Sequence, residues 1–142
     1  MLRSSTDQSP QGPAHRLASA LHGLALLGLC AAYLQGGVNK LLDFPAAVQE
    51  MQHFGLAPAP LLAGGTIVLE LGASLMILTG WWRGLAAALL ACFTLAATFL
   101  ANRYWTLEPP LRDGVANAFY EHLGLVGGFV LVALQDWRAR QR

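Results

Sequence analysis

The sequence predicts an all-α protein, a transmembrane four-helix bundle with a short interfacial helix on its outer surface. Three observations lead there. Of the 142 residues, 55% are hydrophobic and 12% charged, against about 25% charged residues in water-soluble domains. Four apolar runs, residues 17–38, 61–82, 85–101 and 115–134, approach or reach the roughly 20 residues that cross a hydrocarbon core. The tryptophans Trp81, Trp82, Trp105 and Trp137 all fall at run ends, where an indole anchors in the interface with its N–H toward water or headgroups.

Residues 1–15 are polar and contain Pro and Gly, which predicts a disordered tail; the membrane domain takes residues 16–137 and a basic tail 138–142. Arg3 and Arg16 ahead of the first run give it some likeness to a secretion signal. It is longer than a signal's apolar region, however, and residues 35–40 lack a small-residue cleavage pattern, so it is assigned as a span. In residues 44–54, Pro45 stands at a first helical position and Ala46, Ala47, Met51 and Phe54 form an apolar side, before Gly55 and the Pro58/Pro60 break. That pattern predicts a short surface helix with Glu50 and His53 toward solvent. The third run is short at Ala101, but continuing it to Trp105 restores a spanning length, with Arg103 snorkelling outward.

Small residues recur every fourth position: Gly28, Ala32, Gly36 in the first span, Gly84, Ala88, Cys92, Ala96 in the third, Gly124, Gly128 in the fourth. They predict close helix contacts, within one bundle or in a homo-oligomer. Orientation follows the basic residues, which favour the cytoplasmic side. With both termini cytoplasmic, Arg3, Arg16, Arg83, Arg138, Arg140 and Arg142 lie inside, and only Lys40, Arg103 and Arg112 face outward. The location expected is a bacterial cytoplasmic (inner) membrane, with membrane lipids as the surroundings. A net charge of +1 gives no case for a nucleic-acid partner.

Glu70 is the residue that most needs explaining, because a carboxyl in the middle of an apolar run requires a partner or water. Counting about 1.5 Å per helical residue places Glu70 roughly 13 Å below Leu61, and Glu121 and His122 roughly 10 Å below Val115. Lys40 closes the first span at the same end, beside Asn39, and Asn102 and Arg103 close the third. All four spans therefore bring polar groups to one half of the bundle. Asn117 and Glu121 share a helix face, whereas His122 points about 100° away. Two readings of Glu70 are compatible: an ion pair with Lys40 or Arg103 that fixes helix register, and a cavity for a ligand or proton.

Other chemistry is not signalled. Cys30 and Cys92 lie in separate runs without C-x-x-C spacing and read as apolar filler, and no metal-ligand spacing occurs. His22 reads as a packing or interfacial histidine rather than a haem ligand. Phosphate-loop, nucleophile-elbow, zinc-peptidase and dinucleotide patterns are missing, so the sequence encodes no recognisable cofactor motif.

Gly36-Gly37-Val38-Asn39-Lys40 closing the first helix, Glu70-Leu71-Gly72 in the second, Ala97-Thr98-Phe99 leading to Tyr104-Trp105, and Leu125-Val126-Gly127-Gly128 in the fourth together resemble the DoxX family of membrane proteins, over roughly residues 15–134. The resemblance implies a compact four-helix bundle acting as an oxidoreductase or as a membrane subunit of a redox assembly, one branch of which oxidises thiosulfate and reduces quinone. It carries over to Lys40, Glu70 and Trp105. The chain departs from the family where Asn102 replaces a histidine and Glu121-His122 replaces an amide; loss of an imidazole at 102 removes a proton carrier there, for which His122 could compensate.

The first functional expectation is thus an integral membrane component of a redox system, with an outward-facing pocket of Lys40, Glu70, Arg103, Asn117, Glu121 and His122 that takes a quinone. Glu70 would be its catalytic proton carrier, and a redox partner protein or a diffusing quinone would complete the electron path. The alternative is a non-catalytic scaffold or assembly factor for a partner protein. A small-solute carrier comes third, since four spans enclose little volume and no inverted repeat is evident.

Overall fold

The computed structural model describes residues 12–142; most of the expected N-terminal tail, with Arg3, lies outside the described residues. The chain forms helices α1 (Pro13–Leu42), α2 (Phe44–His53), α3 (Ala59–Thr79) and α4 (Arg83–Ala101), a single 3-10 turn at Tyr104–Thr106, and α5 (Leu111–Arg140). Four of these, α1, α3, α4 continued through the turn, and α5, are long and apolar enough to cross a membrane. α2 is the short helix expected between the first two spans. Both long end helices exceed the apolar runs that announced them: residues 13–15, assigned to the tail by composition, form the first turn of α1, and α5 carries on through the basic segment to Arg140. Hydropathy marks only the hydrocarbon-crossing part of a helix, whereas backbone hydrogen bonding continues into the polar interface.

The segment boundaries have local causes. Asp43 ends α1 and starts α2: its N–H donates to the Asn39 carbonyl, while its Oδ1 accepts from the Ala46 N–H at 3.0 Å, with Pro45 in the first turn as predicted. Gly80 stops α3 at a left-handed φ of 83°, where its N–H reaches the Met76 carbonyl. α4 begins three residues later, at Arg83, and its Gly84 N–H is taken up by Asp136 Oδ2 of α5 at 3.0 Å, which satisfies an N-terminal donor that no helical carbonyl can reach. Arg140 Nε holds the same oxygen at 2.8 Å.

The spans pack in the order α1, α3, α4, α5, with the α4–α5 contact most extensive; α1 and α5 touch only locally, and α2 lies across α1 and α3. Buried Leu26, Cys30, Tyr33 and Gly37 make one stripe of α1 at intervals of three and four residues, matching Ala63, Ile67, Glu70, Ala73 and Ile77 on α3. The stripes meet Ala87, Leu90, Thr94 and Thr98 of α4 and, from α5, Phe129, which is completely buried. Leu17, Leu21, Leu24, Val68, Leu75 and Leu131 point outward, forming the apolar exterior that hydrocarbon solvates. The tryptophans are exposed as well, at helix ends or next to them.

Small residues do bring the helices together, at Gly84 and Gly128 of the predicted series, where an added Cβ would stand 2.8 Å from Asp136 and 3.0 Å from Leu29, but on α1 at a position displaced from it. On α1 the close contact is at Gly37, where an added Cβ would stand 2.7 Å from Leu71 Cγ. Gly28 has open space around it, and Gly36 faces the Lys40 and Glu70 head groups. Cys92, expected in a helix seam, is exposed, while Cys30 is buried. A four-residue repeat of small residues recurs on adjacent faces of a helix with many of them, so spacing leaves the contacting face open. Gly37→Ala is expected to lower stability by about 1–3 kcal/mol through overpacking against Leu71, whereas Gly28→Ala should change it little. Thermal unfolding of the two variants in the same detergent separates the positions.

Candidate functional site: an ion pair facing an apolar cavity

Glu70 lies on the buried stripe of α3 and is 6% exposed. Lys40, in the last turn of α1, reaches it across the Gly37–Leu71 contact: its Nζ lies 3.3 Å from Oε1 and 3.4 Å from Oε2, donating to both oxygens. Gly36, one turn before Lys40, keeps the space above the carboxylate clear; a Cβ there would meet Oε2 at 3.5 Å. The lysine charge also complements the partial negative charge at the C-terminal end of α1. Sequence depth alone left Lys40 and Arg103 as equal partners, and the structure pairs the carboxylate with Lys40.

The pair opens on a cavity of about 1230 Å³ lined by all four spans and α2. Lys40 and Glu70 supply charge at one wall. Glu121 and His122 of α5 and Asn102 at the end of α4 add polar groups, and Glu50 enters from α2. The remaining surface is mainly apolar, contributed by residues such as Met51, Phe54, Leu62, Leu69, Phe93, Leu100 and Leu125. A cavity of this kind, large and apolar with a few convergent polar groups, is the usual form of a small-molecule site.

Of the six expected pocket residues, Lys40, Glu70, Glu121 and His122 line this cavity. Arg103 and Asn117 are exposed and line no part of it. Arg103 follows the last residues of α4 and belongs to the 3-10 turn, where its carbonyl accepts the Thr106 N–H and hydroxyl. Asn117 stands one turn beyond Glu121, past the cavity's edge. His122, placed on a separate seam by periodicity, faces the cavity because the lining of α5 spans two adjacent faces, with Glu121 at the rim. Its Nδ1 lies 2.6 Å from the Ala118 carbonyl, a contact that fixes the ring when Nδ1 carries the proton.

Sequence reasoning did not single out Tyr33 and Thr94, whose hydroxyls hydrogen-bond at 2.5 Å beside the floor of the cavity. Thr94 Oγ1 in turn donates to the Leu90 carbonyl at 2.6 Å, so the Tyr33 hydroxyl is the donor to Thr94. Tyr33 also stands edge-on to Phe129. The signal for Tyr33 was its position seven residues before Lys40, on the same helical face. Asn102 is positioned by the turn after it: Tyr104 and Trp105 pack edge-to-face on Phe119 of α5, with ring centroids 5.4 and 5.8 Å apart.

A four-span membrane bundle with a charged pair set into an apolar cavity is the class of protein these features define. The chain belongs to the DoxX family, whose model matches residues 23–103, more than half of it. It is also similar to a protein of Escherichia coli (strain K12) named inner membrane protein YphA, 26% identical over 112 residues that cover 78% of this chain and 79% of the relative. No solved structure matches it significantly.

Removing one member of a part-buried pair leaves the other charge without its partner, so single replacements cost more than the pair itself contributes. Lys40→Met and Glu70→Gln should each destabilise the fold, and the double variant should lose less than the sum, with a coupling of about 0.5–3 kcal/mol. A double-mutant cycle on unfolding in detergent measures it; strict additivity would mean that the two side chains do not interact.

Proposed function

We propose that this DoxX-family protein is a membrane component of a redox system that binds a quinone-like molecule in the cavity, with Glu70 as the group that takes up or passes on a proton. The observation that carries the reading is the Lys40–Glu70 pair exposed to a largely apolar cavity rather than sealed in the core. An ion pair that served helix register alone would gain nothing from that opening.

The residues present fit such a molecule. The volume of about 1230 Å³ exceeds the several hundred Å³ of a typical ligand pocket, leaving room for a ring and part of an isoprenoid tail. Lys40 Nζ can donate to a ring carbonyl, and Asn102 and His122 at the facing wall can hydrogen-bond another polar group. A quinone supplies reversible uptake of electrons with protons. Lys40 tunes the charge on Glu70, Glu70 exchanges a proton with the head group, and Glu121 and Glu50 at the cavity wall stand where that proton can reach water. Electrons would come from a partner protein, since the sequence contains no motif for a resident carrier.

The inner membrane named for the E. coli relative and the excess of Arg near the termini support placing the chain in a bacterial cytoplasmic membrane with both ends inside. The cavity then lies in the outer half. Reporter fusions at residue 142 and in the α2 segment should report opposite sides, with residue 142 cytoplasmic; a periplasmic C-terminus would reverse the assignment.

Binding is tested by adding decylubiquinone to purified protein in nanodiscs and following quenching of tryptophan fluorescence. Saturable binding is expected, weakened about tenfold in Glu70→Gln, a change of about 1.4 kcal/mol. Folded Glu70→Gln that binds the probe as wild type does would remove Glu70 from the site. A scaffold role would instead show as lost partner recovery with no effect on the probe.

A further inference from the structure

We infer that the cavity is entered sideways, through the seam between α1 and α5, by an amphipathic molecule already dissolved in the bilayer; this deepens the ligand-binding reading and rests on it. Three features carry the inference. First, α1 and α5 are the least joined neighbours of the bundle. Their contacts include Leu29 seated over Gly128, leaving only 3.0 Å for a Cβ there, and Tyr33 against Phe129 at 5.2 Å between ring centroids.

Second, from these contacts toward Lys40 the two helices present glycine on the cavity wall, Gly36 on α1 and Gly124 on α5. A Cβ built on Gly124 would meet nothing within 4 Å, so this glycine is not a packing contact; it leaves a gap. Third, the end of the cavity nearest the aqueous phase is lined by α2 and the segment after it, through Met51, Phe54 and Leu56. Met51 is buried there. The aqueous end is thus partly roofed while the side is open.

The seam lies at hydrocarbon depth, since Gly124 is thirteen residues into α5 and so roughly 20 Å along it. A molecule passing there keeps apolar surface in contact with lipid throughout, and only its polar head crosses to the Lys40–Glu70 pair. The chemistry selected is a small head with hydrogen-bond acceptors on a flexible apolar tail that stays in the seam. A water-soluble solute would have to cross the hydrocarbon to use this entrance.

Gly124→Trp fills the gap while leaving Lys40 and Glu70 unsubstituted, and Gly124→Leu is the smaller change should the first fail to fold. In stopped-flow measurements with decylubiquinone in nanodiscs, association and dissociation should both slow, about tenfold for Trp. Slowing of dissociation distinguishes a narrowed entrance from a damaged site, which would release the probe faster. Unchanged rates in folded variants overturn the side entrance and leave the binding reading standing; absence of wild-type binding removes both. Photoreactive phosphatidylcholine with a diazirine in its acyl chain tests the opening separately. Cross-links should map to the cavity residues Tyr33 and Ala97 and disappear in Gly124→Trp, and labels confined to the outer faces of the helices contradict the inference.

Discussion

The contact between Lys40 of α1 and Glu70 of α3 is the constraint on which the rest of the arrangement depends. A carboxyl at that depth is excluded from hydrocarbon unless it is partnered, so α3 must turn this face inward. Turning it there places Ile67, Ala73 and Ile77 in the core and Val68 and Leu75 in lipid. The partner comes from the last turn of α1, and it reaches only because Gly37 lets the two backbones close on Leu71. The α1–α3 register, the burial of α3 and the charged wall of the cavity thus follow from one pair and one glycine.

That pair sits in a bundle that is not filled. Below it, Tyr33, Thr94 and Phe129 close the space between helices with a hydroxyl pair and an aromatic contact. Above it, Gly36, Ala97 and Gly124 decline to fill the same space. Membrane helices lack a hydrophobic drive toward each other and associate through close packing and polar contacts, so unfilled volume forgoes contacts that a structural bundle would make. The lower half supplies the rigidity, and the upper half spends little of its surface on packing. The α4–α5 contact, fastened at one end by Asp136 on Gly84 and at the other by aromatic rings around Phe119, holds the cavity's far wall in place.

Much of this was legible in the amino-acid order. The four apolar runs and the Pro45 helix start depend on local composition and local backbone chemistry, and both are visible residue by residue. Glu70 announced itself by its surroundings, and Lys40 by depth. The choice of Lys40 over Arg103, and of His122 over Asn117, was not visible because each depends on tertiary placement: where α4 gives way to the 3-10 turn at Arg103, and how far up α5 the cavity extends. The same limit explains the small-residue stripes: Gly28, Gly36, Gly37, Gly124 and Gly128 look alike in sequence, yet two are close helix contacts, two border a cavity and one faces open space. Family resemblance supplied the DoxX membership that the family model shows, and the geometry of the cavity is what the functional proposal adds.

The distance between the Lys40 and Glu70 head groups in a bilayer tests the central claim most directly. Solid-state nuclear magnetic resonance on protein labelled at the Lys40 side-chain nitrogen and the Glu70 carboxyl carbon measures it in native-like lipid. The account predicts a strong dipolar coupling, consistent with contacts of 3.3 and 3.4 Å between Nζ and the two oxygens. A Glu70 carboxyl with no coupling to Lys40, in contact with acyl chains instead, would contradict it.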